Sequence, residues 1–118
     1  GPGLGGHCIP VDPFYLAWKA NKKGIKTEFI KLASDINAIM PKYVVDKTEE
    51  VLIGRGKKLK DSNILILGLS YKKNIDDIRE SPSLKIMDLL KNKGANFQYS
   101  DPYIETIPKI RKYNFDII

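Results

Sequence analysis

Asn63-Ile64-Leu65-Ile66-Leu67-Gly68 is a short, unbroken apolar run that stops at a glycine, and the fold class is read from it. A strand wetted on one side alternates apolar with polar residues. A continuous run this short fits a strand buried on both faces of a parallel sheet. After a polar loop over Ser70 to Glu80, Ser81-Pro82 starts a helix, because proline's fixed φ suits the first turn. Leu84, Ile86, Met87, Leu89 and Leu90 supply its buried side and Gly94 its stop. Ala95 to Ser100 alternates as a second strand, ended by Asp101-Pro102. Strand, helix, strand with a right-handed crossover is the building unit of an open α/β sheet, and two strands do not complete one.

Toward the N-terminus the period changes. The stretch Gly54 to Lys60 (GRGKKLK) reads as a basic, glycine-containing linker. Before it, Phe29, Leu32, Ala33, Ile36, Ile39, Met40, Val44, Val45, Val51 and Leu52 recur at helical steps, marking a long amphipathic helix from Thr27. Pro41 removes a ladder donor and crowds the carbonyl four residues back. A kink, or two helices meeting at Met40-Pro41, is expected there. Asp12-Pro13 reads as N-cap and first helical position of a short helix over Phe14 to Asn21, ended by Gly24. The expected class is therefore α/β, a long central helical segment followed by an incomplete Rossmann-like parallel sheet, with 1–60 and 61–118 as its two units.

Composition narrows the function. A chain of 118 residues with 42% hydrophobic residues can build a core, which excludes a disordered tail. Lys+Arg exceed Asp+Glu by 20 to 14, giving +6 and a pI near 9.4, which suits an anionic partner without choosing one. One Cys and one His exclude an internal disulfide and a structural zinc site. No apolar run approaches the roughly 18–20 residues that span a bilayer. A soluble, cytoplasmic protein with no metal and no membrane partner is expected. Gly1-Pro2-Gly3-Leu4-Gly5-Gly6 at one end and Phe115-Asp116-Ile117-Ile118 at the other lead us to expect a piece of a longer polypeptide.

Two segments carry candidate chemistry. In Gly3 to Asp12 (GLGGHCIPVD), the glycines allow a ligand close to backbone N–H groups, and a Cys after such a loop is a nucleophile candidate. Cys8 as a small buried hydrophobe stands beside that reading as an equal. His7 fits a structural hydrogen bond better than a base role, because adjacent side chains diverge, and Asp12 orients a water or caps the helix. The second segment, Gly68 to Glu80, lies at the carboxyl end of the first strand, where open α/β sheets bind ligands. It lacks the G-x-G-x-x-G turn, so it would hold phosphate or substrate through Tyr71, Lys72, Lys73 and Arg79. A solvated loop in which Asp76, Asp77 and Glu80 pair with those cations fits the pattern equally well. Asp101 resembles a ribose-binding acid only in position. The scattered basic residues give no support for nucleic acid, and the long helix is a core element or a dimer seam.

GPGLGGHCIPVDPFYL (Gly1 to Leu16), NAIMPKY (Asn37 to Tyr43), GLSYKKN (Gly68 to Asn74), DDIRESP (Asp76 to Pro82) and Asp101-Pro102-Tyr103 together resemble the UDP-glucose/GDP-mannose dehydrogenase family over nearly the whole chain. The form GHCIPVDPFYL most resembles the UDP-N-acetylglucosamine 6-dehydrogenase branch, with UDP-N-acetylmannosamine and UDP-glucose dehydrogenases as alternatives. That family oxidises the C6 alcohol of a nucleotide sugar to a carboxylate in two NAD-dependent steps. The resemblance implies Cys8 as the nucleophile and Asp12 as the group that positions water. It implies Gly3, Leu4, Gly5 and Gly6, with Tyr71 and Lys72, as contacts for the UDP-sugar. Arg79 would reach the NAD pyrophosphate, and Cys8, Ile9, Pro10 and Val11 would lie near the nicotinamide. His7 stands where other branches carry Ser, so no role transfers to it.

The resemblance further implies a homodimer through the central helix. It places an NAD-binding domain before Gly1 and the rest of a UDP-binding domain after Ile118, so the 118 residues alone are expected not to turn over substrate and to expose an apolar sheet edge. A non-catalytic UDP-binding or dimerisation module is the rival reading.

Overall fold

The computed structural model describes residues 1–108, so the expectation for Phe115 to Ile118 lies outside the described residues. Helix α1 spans Cys8–Asn21, α2 Glu28–Gly54 and α3 Pro82–Asn92, with strands β1 at Asn63–Leu67 and β2 at Asn96–Ser100. The strands pair in parallel, Asn63 beside Asn96 through Leu67 beside Ser100, with α3 as the crossover. The α/β class stands as expected.

Three local expectations are corrected. Helix α1 begins at Cys8 and not at Phe14, so Asp12 sits inside it and is no cap. The cue misleads because prolines are tolerated early in a helix. Pro10 falls in the first turn, where no N–H has an intrahelical acceptor, and Pro13 forfeits only the bond to the Ile9 carbonyl. Gly24, at φ +75°, then turns the chain, and the Ile25 N–H reaches back to the Ala20 oxygen at 3.1 Å. Helix α2 runs as one element through a buried Pro41, about 40 Å long, which keeps the long helix expected from Thr27 and sets aside only the alternative of two helices meeting at Met40-Pro41. The stretch after it is docked rather than free. Leu59 is 2% exposed among Val45, Leu90 and Ala95, and Asp61 and Asn96 N–H groups bond the Gly94 and Ser62 carbonyls.

The core lies on one face of the sheet. Ile64, Ile66, Phe97 and Tyr99 point toward α2 and α3, where Leu84, Met87 and Leu90 of α3 are fully buried. Lys93 at the end of α3 bonds Glu49 and lies 3.5 Å from Asp46, both on α2. The opposite face of β1 carries Leu65 and Leu67, both exposed. The strand is thus buried on one face among the described residues, not on two, because α2 and α3 pack on the same side. Phe14, Tyr15, Leu16 and Trp18 of α1, and Phe29, Leu32, Ile36, Ile39 and Tyr43 along α2, are exposed as well. No described helix is long and apolar enough to cross a membrane.

Candidate active site

The glycine loop before α1 lies against the loop after β1, and glycine is required where they meet. A Cβ at Gly5 would run into the Tyr71 Cβ and come 3.1 Å from the Glu80 carbonyl; one at Gly6 would sit 2.9 Å from the Tyr71 ring. The Gly6 N–H donates to the Arg79 carbonyl at 2.7 Å. Part of the clearance expected for a ligand is therefore filled by this chain's own Tyr71.

Cys8 is the first residue of α1 and is exposed, which removes the buried-hydrophobe reading. Asp12, also exposed, follows one turn later on the same face of the helix. The N–H groups of Cys8 and Ile9 belong to the first turn and have no intrahelical acceptor, so they are donors available to an oxyanion formed near the thiol. His7 occupies the cap position but makes no side-chain capping bond.

The loop after β1 is braced internally. The Tyr71 N–H donates to the Asp77 carbonyl at 3.1 Å, and the Ser70 hydroxyl donates to the Ile75 carbonyl at 2.6 Å. Arg79 forms a side-on pair with Asp77, Nε at 3.0 and 2.9 Å from the two carboxylate oxygens and Nη2 at 2.6 Å. The side-chain bond from Arg79 holds the Asp77 carboxyl below its ordinary range, and the same bond raises Arg79. Tyr71 and Cys8 both lie within electrostatic reach of the guanidinium. Among the ion pairs expected in this loop, the geometry shows that of Asp77 with Arg79. Glu80, at φ +50°, reverses the chain between an outward Arg79 and a buried Ser81. The Ser81 hydroxyl donates to the Leu69 carbonyl at 2.6 Å and that of Ser83 to Gly68 at 2.9 Å, fastening α3 to the end of β1.

Asp101 has a structural task that its position alone did not reveal. It accepts from the Leu69, Tyr103 and Ser70 N–H groups at 2.7, 2.9 and 3.1 Å. Burial raises its pKa most strongly, but these bonds together outweigh burial and hold the carboxyl below its ordinary value. Behind the glycine loop a cleft of about 180 Å³ is lined by Gly3, Ile9, Pro10, Asn37, Pro41 and Lys85. Proline at 41 leaves the Asn37 carbonyl without its helical donor, and that oxygen lies 3.5 Å from where a Gly3 Cβ would be. Pro41 was the available signal for this feature.

The structure thus gathers Gly5, Gly6, Cys8, Tyr71 and Arg79, with Asp12 one turn away. Ile9, Pro10, Gly3 and Leu4 border the cleft instead, Val11 is half-buried in α1, and Lys72 is exposed on the loop. Among the described residues no cluster of His, Cys, Asp and Glu could hold a metal ion.

Residues 1–39 match the central domain of the UDP-glucose/GDP-mannose dehydrogenase family, and residues 65–118 match the UDP binding domain of that family. A UDP-N-acetyl-D-mannosamine dehydrogenase of Methanococcus maripaludis is 38% identical over 103 residues, 87% of this chain and 23% of that protein. A UDP-N-acetyl-D-glucosamine 6-dehydrogenase of Salmonella typhi is 34% identical over 113 residues, 95% of this chain and 27% of that protein. The crystal structure of an NDP-N-acetyl-D-galactosaminuronic acid dehydrogenase from Methanosarcina mazei Go1 superimposes with a TM-score of 0.83 at 30% identity, over 94% of this chain and 25% of that one. The chain therefore spans about a quarter of the length of the relatives it matches. With two successive domain models of one family matched in order, this chain belongs to the UDP-glucose/GDP-mannose dehydrogenase family.

Proposed function

We propose that this chain supplies the nucleophile and part of the UDP-sugar site of a cytoplasmic, homodimeric, NAD-dependent UDP-sugar 6-dehydrogenase acting on a UDP-N-acetylhexosamine. UDP-N-acetylglucosamine is the first choice and UDP-N-acetylmannosamine the alternative. The observation that carries the reading is the exposed Cys8 at the start of α1, beside Arg79 and the glycine loop. The N-acetylated sugars named for the relatives support the substrate class. The exposed stripe Phe29, Leu32, Ile36, Ile39 and Tyr43 along α2 supports a dimer seam. Residues 1–60 would then carry the thiol and the seam, and 61–118 the nucleotide.

The chemistry follows from these positions. NAD would accept a hydride in each of two oxidations. Its pyrophosphate fits Arg79, whose guanidinium is exposed and keeps donors clear of Asp77. Once the C6 alcohol is an aldehyde, the Cys8 sulfur adds to the carbonyl carbon and its proton passes to the new oxygen, giving a thiohemiacetal. The first-turn N–H groups would stabilise charge on that oxygen. Loss of hydride and of the hydroxyl proton leaves a thioester on Cys8. Asp12 would orient a water that attacks the thioester carbon, and the C–S bond breaks to return the thiol and release a carboxylate. Tyr71, Lys72 and the segment Gly3 to Gly6 would hold the UDP-sugar, with Ile9, Pro10 and Val11 toward the nicotinamide.

The natural polypeptide that carries this sequence should form two NADH per sugar, and faster with UDP-N-acetylhexosamines than with UDP-glucose. One NADH per sugar, or undiminished activity after alkylation of Cys8, would refute the reading. The 118 residues alone should form no NADH.

A further inference from the structure

Arg79 stands at the seam between the thiol segment and the loop after β1, yet its direction is set by a neighbour no role has been given to. Asp77 is the fixed member of the pair. Its side chain is 22% exposed against 67% for Arg79. Its carbonyl receives the Tyr71 N–H, and its carboxylate receives the Arg79 backbone N–H at 2.9 Å as well as the guanidinium. The loop backbone therefore holds Asp77, and Asp77 holds the arginine.

The way it holds matters. A guanidinium has five N–H donors in a rigid plane. Asp77 engages the Nε edge and one donor of Nη2. The outer edge, formed by Nη1 and the remaining donor of Nη2, points away from Asp77 and matches the two oxygens of a phosphoryl group. A long side chain already clamped on one edge has lost its rotamer freedom before a ligand arrives, so less is lost on binding. Resting on the reading of Arg79 as an anion contact, we propose that Asp77 is a positioning residue that presents the outer edge of Arg79 to a diphosphate beside Cys8. The carboxylate also repels that anion, so the clamp works only while it stays bonded to the guanidinium.

The test uses Arg79→Ala, Asp77→Ala, Asp77→Asn and the double variant Asp77→Ala/Arg79→Ala in the natural polypeptide that carries this sequence, with KM for NAD and for the UDP-sugar, kcat and the thermal midpoint read for each. Arg79→Ala should raise one KM by about tenfold or more, the loss expected of a charge-assisted bidentate contact. Asp77→Ala should raise the same KM by about three- to tenfold, leave kcat within about twofold, and add less than about twofold on the Arg79→Ala background, as coupled residues do. Asp77→Asn keeps one acceptor for Nε and should recover part of the loss; it also serves as the measured variant if Asp77→Ala does not fold. Inorganic pyrophosphate should inhibit the parent more strongly than either Asp77 variant. An Arg79→Ala effect with unchanged KM in both Asp77 variants would overturn the positioning role alone. So would an Asp77→Ala effect of equal size with Arg79 absent. If Arg79→Ala moves neither KM, the anion-contact reading falls and the inference falls with it.

Discussion

Helices α2 and α3 carry the same kind of apolar periodicity and meet different fates. In the short α3, Leu84, Met87 and Leu90 are each 1% exposed; in the much longer α2 only Pro41 and Val45 are buried, and α1 has no buried residue. Burial converts apolar area into stability at about 25 cal/mol per Å², so folding free energy concentrates in the β1–α3–β2 half. The groups proposed to react sit in the other half. Cys8 and Asp12 are exposed on a helix that contributes little to the core, and the Gly6 to Arg79 bond and the Tyr71 ring tie them to the stable half. Chemistry and stability are therefore separable by substitution.

The largest effect should come from Cys8→Ser in the natural polypeptide. Loss of a nucleophile is expected to lower kcat by about 10³-fold or more, while the unfolding midpoint and UDP-sugar binding stay within error. A fall in stability would break the comparison by showing that α1 is part of the core. The mirror experiment is Leu84→Ala, which opens a cavity in the packed half and should cost about 2–5 kcal/mol in denaturant unfolding. Ile36→Ala, at a position 48% exposed on α2, should cost less than about 0.5 kcal/mol in a monomer. A larger cost that shrinks on dilution would place Ile36 in a dimer seam. Gly6→Ala tests the tie between the halves. Its φ of +85° and the ring 2.9 Å from an added Cβ make a loss of about 1–2 kcal/mol the expected result from backbone conformation alone. Activity should fall with it, because Tyr71 has to move.

Much of the packed half was legible in sequence. Asn63 to Leu67, Ser81-Pro82 and Gly94 mark their elements because each cue is local: an apolar run, a fixed φ, a left-handed turn. What escaped depended on partners distant in the chain. Leu59 looks like part of a basic linker until Val45, Leu90 and Ala95 surround it. Asp101 looks like a ligand contact until the Leu69 and Ser70 N–H groups are seen to occupy it. In the first half the misreading was local. Asp12-Pro13 suggested a late start, although at that place in α1 the proline forfeits only the bond to the Ile9 carbonyl. The site itself was legible only in part. The glycines near Cys8 announced a close approach, but not that Tyr71 makes it.

The smallest effect sharpens the comparison from the stable side. Asp101 joins the ends of β1 and β2 through three N–H bonds, and its pKa lies below the ordinary 3.8. A carboxyl whose folded pKa is depressed binds its proton more weakly in the folded chain than in the unfolded one. Its contribution to stability is therefore complete above the unfolded value and is lost as pH falls through the folded value. Asp46 and Asp77 are shifted in the same direction and add to the same acid sensitivity. Asp101→Asn removes one of the three, so the gap in urea midpoint between parent and variant should be widest near neutral pH and narrow below about pH 4. The rate of Cys8 alkylation at neutral pH should be the same in both. A gap that stays constant with pH would mean that Asp101 acts through shape and not charge. A changed alkylation rate would mean that the end of β1 reaches the thiol through the loop it fastens, and the two halves would then be one unit.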